Sequence, residues 1–204
     1  MAEKPPSLRE RQAQLTRAEI LNAARRLFAE RGYSRTSVRD IAQAAGVSSQ
    51  TVYDSVGSKP QLVARLNDLI DAEAGIGAIV AAAMQSSEPA EIARVPARIM
   101  RSILEHCGDI IHALVTGAAA EPDLQTVLAE GHRRHVEGAR RIAGVLHERG
   151  ELAEGIDLPT ATDTLAALAD FRFALMLRES YGWSFDRIES WIAETTKTLL
   201  LRVP

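Results

Sequence analysis

The chain has 204 residues, enough for one large domain or a small domain beside a medium one, with a buried core in either case. Its 24 Lys and Arg against 27 Asp and Glu leave it slightly acidic, and its lone cysteine excludes an internal disulfide and suits a reducing compartment. The longest apolar run, Ala74 to Met84, falls short of the roughly 20 residues a bilayer span takes, and the first fourteen residues lack the apolar centre of a signal peptide, so a soluble cytoplasmic protein with no membrane partner is expected.

The charge is unevenly spread. Met1 to Pro60 hold ten basic and six acidic residues, net +4, so the remaining 144 residues carry -7. A basic head on an acidic body points to a polyanionic partner for the head.

Apolar residues recur at helical spacing nearly throughout, as at Ile20, Ala24, Leu27 and Phe28, and again at Ile188, Trp191, Ile192, Thr195 and Leu199. Only Ile110 to Thr116 is arguable as a strand, and an all-α protein is expected. In the head, a Ser or Thr three residues before a side chain that can reach back marks a helix start. Thr16 with Glu19, Ser37 with Asp40, Ser48 with Thr51 and Ser58 with Gln61 have that spacing and predict starts near 17, 38, 49 and 59. Gly32 and Gly46 close the first two helices, and the short connection from Gly46 to Ser48 has the length of a helix-turn-helix corner.

Farther on, a fourth helix is expected from Lys59 past Ile70, a break at Ser86 to Pro89, and helices over 91 to 107, 109 to 119, 123 to 149, 158 to 181 and 185 to 202. Pro96 should kink its helix or mark its start. Gly150 to Leu158 reads as an exposed loop.

On a helix of 3.6 residues per turn, Val52 and Val56 of the segment Ser49 to Val56 share one side, which can pack on Ile41, Ala42 and Ala45. Gln50 and Asp54 point the opposite way, flanked by Thr51 and Tyr53. Such a face suits the DNA major groove: Gln pairs with adenine, Asp accepts from cytosine, and Thr and Tyr hydroxyls reach phosphate. Lys59 offers a further phosphate contact, and Arg39 can reach backbone or base. Arg25, Arg26 and Arg31 read as a solvated helix face, and Arg17 as a candidate phosphate contact.

These residues carry a resemblance. From Thr16 to Leu66 the chain is similar to the DNA-binding domain of the tetracycline-repressor (TetR) family, through A-x-x-L-F at Ala24 to Phe28, Gly32, Thr36 to Ile41, A-G-V-S at Ala45 to Ser48, T-V-Y at Thr51 to Tyr53 and Gly57 to Lys59. It departs from the family at Asp54 and Ser55, where an aromatic or histidine is common, and at Val56, where phenylalanine is. The resemblance implies a homodimeric regulator of a palindromic double-stranded DNA operator, with Arg39, Ser49, Gln50, Thr51, Tyr53, Ser55 and Lys59 as the candidate contacts, to which the exposed side of the helix adds Asp54. It implies a flexible arm over 1–15, a head over 16–76 with its helix-turn-helix at about 37–56, and a body over 77–204 that binds a small-molecule effector and dimerises. Repression is the leading expectation; an activator, a ligand-free interaction protein and an all-α enzyme are the alternatives.

In the body, Met100, Ile103, Leu104, His106, Ile111, His112, Phe173 and Tyr181 are candidate pocket linings, being apolar, aromatic or histidine side chains of the middle helices. Leu165, Leu168, Phe171, Leu175 and Met176, with Trp191, Ile192 and Leu199, exceed what one protomer needs to cover and are assigned to a four-helix dimer interface. No metal site is expected, because His132 and His135 share a helical face without a third ligand. Cys107, Asp109 and a histidine do not form a catalytic set, so no catalytic residue and no cofactor are assigned. Gly75 and Gly77 lack the preceding strand of a dinucleotide site.

Overall fold

A computed structural model describes residues 7–202. Among these the chain forms helices: α1 (Leu8–Arg31), α2 (Val38–Ala44), α3 (Ser49–Ser55), α4 (Lys59–Asn67), α5 (Ile70–Glu73), α6 (Ile76–Met84), α7 (Pro89–Ala93), α8 (Val95–Ala118), α9 (Pro122–Glu148), α10 (Leu158–Leu168), α11 (Phe171–Tyr181) and α12 (Phe185–Leu200). Extended pairing among the described residues is limited to one antiparallel bridge between Leu152 and Leu201. The all-α expectation holds, and Ile110 to Thr116 lies within α8.

The capping signals set α2, α3 and α4 where expected, beginning at Val38, Ser49 and Lys59. Ser37 and Asp40 bond reciprocally, the Asp40 carboxylate accepting from the Ser37 amide at 2.9 Å and the Ser37 hydroxyl from the Asp40 amide at 3.2 Å. The start expected near residue 17 is wrong. Helix α1 begins at Leu8 on a box formed by Ser7 and Glu10, and runs through Thr16 because nothing from Leu8 to Glu19 opposes a helix. Residues 8–15, expected as part of a flexible arm, are therefore helical; residues 1–6 of that arm lie outside the described residues.

Two compact units emerge. The first joins the residues up to Ile70 with Gly108–Leu128, and the second joins Asp71–Cys107 with the residues from Ala129 onward. They are not the contiguous stretches 16–76 and 77–204 expected from the sequence. Cys107, whose φ of -131° and ψ of 16° interrupt α8, stands where the units divide.

In the first unit α1 packs on α2, α3 and α4, and Ile20, Ala24, Leu27 and Phe28 of α1, Ile41 of α2, Val52 of α3 and Leu62 and Val63 of α4 are all buried. Each large apolar side chain so buried contributes about 1.5–3 kcal/mol. Tyr33 closes the turn after α1, its ring 5.6 Å from that of Phe28. Thr36 is buried too, but its hydroxyl donates to the carbonyls of Leu27 and Gly32, so it is not stranded. The end of α8 packs here: a Cβ added to Gly117 would crowd both Tyr33 and Leu124.

The second unit is built on Ile92, Val95, Ile142, Leu146, Leu165 and Leu200. Several boundaries differ from the expected ones. The helix expected past Ile70 stops at Asn67, and Gly75, in a left-handed conformation, opens α6. Pro96 sits in the first turn of α8, where its missing N–H costs nothing. The single helix expected over 158 to 181 is two, because the Asp170 carboxylate accepts from the Arg172 amide and caps α11.

Candidate nucleic-acid interface

Helix α3 is held from below and from its start. Val52 is fully buried and Val56 nearly so, as are Ile41 and Ala42 of α2, the helix on which α3 packs. Gly46, at φ 68°, turns the chain between α2 and α3, a backbone that side-chain-bearing residues resist. The Ser48 hydroxyl accepts from the Thr51 amide at 3.0 Å and lies 2.8 Å from the Thr51 hydroxyl. Thr51 is thereby partly engaged in holding the helix start, which leaves less of its hydroxyl for an outside partner.

The opposite face is open. Gln50, Tyr53 and Asp54 are exposed, Tyr53 by half of its surface, while Ser49, Thr51 and Ser55 are half-buried on the flanks. Gln50 Nε2 donates to Asp54 Oδ1 at 2.8 Å. Beside α3 runs an open depression of about 490 Å³ lined by Ser34 to Arg39, Ser49, Tyr53 and Lys59. It brings Arg39, Ser49, Tyr53 and Lys59 together, with Gln50, Thr51, Asp54 and Ser55 outside its lining. Three cationic side chains, Arg35, Arg39 and Lys59, alternate there with the hydroxyls of Ser34, Ser37, Ser49 and Tyr53. That composition suits a phosphate strand, since phosphate oxygens accept and these groups are donors, apart from the Ser37 hydroxyl, whose hydrogen goes to the Asp40 carboxylate.

Ser34 and Arg35 were not among the residues singled out from the sequence. Their signal was a short polar stretch between Gly32 and Ser37. Arg35 Nε donates to the Arg31 carbonyl at 2.8 Å, which anchors the guanidinium at the end of α1. Gly57, at φ 111°, sets the corner before α4, where the Gln61 side chain accepts from the Ser58 amide at 2.7 Å.

Lys59 stands over the Tyr33 ring, 3.9 Å from its centroid. Burial lowers its pKa, and the Glu121 carboxylate acts in the opposite sense. Burial, followed by the charge of Glu121, pushes the Tyr33 phenol up to about 12. The phenol oxygen has no hydrogen-bond partner within ordinary geometry among the described residues, so Glu121 acts on it chiefly through its charge. Arg25, read as solvated, instead holds Asp109 through two bonds of 2.6 and 3.0 Å.

The residues assigned to the second unit's surfaces divide. Leu165 and Ile192 are buried within the protomer and are withdrawn from the dimer interface, because a side chain with no exposed surface cannot meet a partner. Met176, Trp191 and Leu199 are exposed, and Leu168, Phe171 and Leu175 are half-buried. Trp191 also packs on Phe173 and Trp183, with centroids 5.9 and 5.8 Å apart. Of the candidate pocket linings, Met100, Leu104 and Ile111 are buried and Ile103 and Phe173 half-buried. His106, His112 and Tyr181 are exposed, and His106 bonds back to Ser102 of its own helix. Ile111 and His112 belong to the first unit and the other six to the second.

Comparison with known proteins bears on the same residues. A family model described as bacterial regulatory proteins, tetR family, matches residues 20–66. The HTH-type transcriptional regulator TtgR of Pseudomonas putida is 46% identical over 57 residues, 28% of this chain and 27% of that protein. The HTH-type transcriptional repressor KstR2 of Rhodococcus jostii is 51% identical over 47 residues, 23% of each. The matched stretch thus spans about a quarter of the length of these relatives. Among solved structures, native NalD, the secondary repressor of the MexAB-OprM multidrug efflux pump in Pseudomonas aeruginosa, superposes with a TM-score of 0.72 at 22% identity, covering 93% of this chain and 98% of that one. A SmeT–triclosan complex gives 0.73 at 19% identity, covering 93% of both. At these identities the likeness establishes the fold.

Proposed function

Through its N-terminal head this chain belongs to the tetR family of bacterial regulatory proteins, and from that premise we propose that the whole protein is a homodimeric repressor of a palindromic operator, released by a small-molecule effector. The observation that carries the reading is the pairing of an exposed Gln50, Tyr53 and Asp54 face with the adjoining depression lined by Arg35, Arg39 and Lys59. The face reads base edges and the depression tracks a phosphate strand, while Ser49, Thr51 and Ser55 flank the contact.

Repression is supported by the relatives, since KstR2 carries that name and NalD is a repressor of an efflux pump. A dimer is supported by the exposed Met176, Trp191 and Leu199 of α11 and α12, together with the half-buried Leu168, Phe171 and Leu175. The triclosan bound to SmeT motivates an apolar, aromatic effector class, with Met100, Ile103, Leu104 and Phe173 as the lining to examine in the second unit. Residues of α8 belong to both units, so the chain itself offers a path for an effector's influence. A change in the spacing of two heads would then break their fit to successive major grooves. No helix among the described residues is long and apolar enough to cross a membrane. A cytoplasmic location belongs to the same reading, since that is where a bacterial operator lies. Nuclease footprinting of the DNA flanking its own gene tests the reading. A protected, two-fold symmetric site supports it, and a uniformly unprotected fragment contradicts it.

A further inference from the structure

We infer that Gln50 and Asp54 read the operator as one locked unit, and that each half-site presents an exocyclic amine, adenine N6 or cytosine N4, on neighbouring base pairs beneath them. The inference rests on the proposed role of α3 in reading DNA.

The two side chains lie one helical turn apart on the exposed face of α3, and Gln50 Nε2 donates to Asp54 Oδ1 at 2.8 Å. An ionised carboxylate only accepts, whereas a primary amide has a donating end and an accepting end. Asp54 can therefore bond only the amide nitrogen. The opposite flip would set Gln50 Oε1 against a carboxylate oxygen, with two lone-pair sets facing each other. The carboxylate thus fixes which end of Gln50 is turned away from it, and that end is Oε1. Asp54 Oδ2 has no partner among the described residues.

The locked pair consequently offers two acceptors, Gln50 Oε1 and Asp54 Oδ2, with a single remaining amide hydrogen as its donor. In the major groove the donors are few. Adenine shows N6 and cytosine N4, while guanine O6 and N7 and thymine O4 are acceptors. Adenine suits Gln50 best, because Oε1 takes N6 and the remaining amide hydrogen reaches N7. Asp54 Oδ2 suits cytosine N4 or a second adenine N6. Guanine or thymine at either position would face oxygen with oxygen. A free glutamine can turn over and accommodate such a base, and Asp54 removes that freedom. Asp54 is in this sense a specificity-determining residue twice over, through its own oxygen and through the orientation of Gln50.

The test is selection of bound sites from a randomised duplex library with the full-length protein, comparing wild type, Asp54→Ala, Asp54→Asn and Gln50→Ala. Wild-type sites should carry adenine or cytosine at two neighbouring positions per half-site, with discrimination of roughly 10- to 100-fold against guanine and thymine. Asp54→Ala should relax both positions, the one it touches and the one Gln50 reads. Asp54→Asn, nearly the same in size, should also admit thymine or guanine under Gln50, because an asparagine can bond either end of the amide. Gln50→Ala should relax only its own position. The inference is overturned if Asp54→Ala leaves the preference under Gln50 unchanged while site affinity persists, since Asp54 would then be a bystander. Failure of the wild type to enrich any sequence would overturn the DNA-reading role itself, a distinct outcome.

Discussion

The Lys59 ammonium stands 3.9 Å from the centroid of the Tyr33 ring, and the ring is itself buried beneath it. The cation is thus held at a fixed place on the wall of the groove beside α3 by a residue from the turn after α1. In the proposed role of phosphate contact, a lysine placed in this way would have little freedom to lose. Lys59→Ala is expected to weaken binding to all sequences alike by several-fold and to lower the slope of log affinity against log salt by about 1. Loss confined to one operator sequence would contradict this, because a phosphate contact carries no base information.

Tyr33 makes a separate expectation at alkaline pH. Its phenol is pushed up to about 12 in the folded chain, from 10.0. A raised folded value means that the native state holds the proton more tightly, so the contribution is present below about pH 10 and is lost as pH rises toward 12. That rise corresponds to at most about 3 kcal/mol. Tyr33→Phe should cost little at neutral pH, because the hydroxyl it removes lacks a hydrogen-bond partner among the described residues, and should outlast the wild type as pH passes 10. Urea unfolding followed across that range checks it, and parallel profiles for the two proteins would count against it.

Arg25 and Asp109 form a two-bond pair within the first unit, each about a quarter exposed. Partial exposure reduces its worth, so Asp109→Asn is expected to cost about 1 kcal/mol of stability rather than the several that a fully buried pair would lose. Base preference should stay unchanged, since neither residue lines the groove. Thermal unfolding beside a site-selection profile separates the two effects.

The exposed apolar side chains of α11 and α12 are the proposed dimer surface. Met176→Glu with Leu199→Glu should convert a dimer to a monomer in sedimentation while leaving the melting of the protomer nearly unchanged, both being exposed. Leu165→Ala, at a fully buried position, should instead cost about 2–5 kcal/mol of stability. A double variant that remains dimeric would place the contact elsewhere.

Much of the head was legible because its signals are local. Ser37, Ser48 and Ser58 each mark a helix start, and Val52 and Val56 assign the buried side of α3. The same local reasoning misplaced the start of α1, since Ser7 with Glu10 and Thr16 with Glu19 both have capping spacing. Spacing alone does not say which pair caps and which lies inside a continuing helix. Across Asp170 the apolar residues Leu168, Phe171 and Leu175 keep helical spacing, so the break between α10 and α11 was hidden from periodicity. Periodicity also identifies a buried face without naming its neighbour, which is why Leu165 and Ile192 were assigned to a partner and not to their own core. The contacts of Arg25 with Asp109, and the crowding of Tyr33 by Gly117, join residues more than 80 apart. No local pattern carries them, and so residues 108–128 were expected in the body.

The most direct test of the central claim is a titration of the full-length protein against duplex DNA from the flanks of its own gene, at increasing salt, with Gln50→Ala alongside. Tight wild-type binding that falls linearly in log affinity against log salt, with the preference at one position per half-site lost in the variant, is the expected result. Binding absent at every salt concentration, or a variant whose base preference matches the wild type, would contradict the assignment of α3 as the operator-reading element.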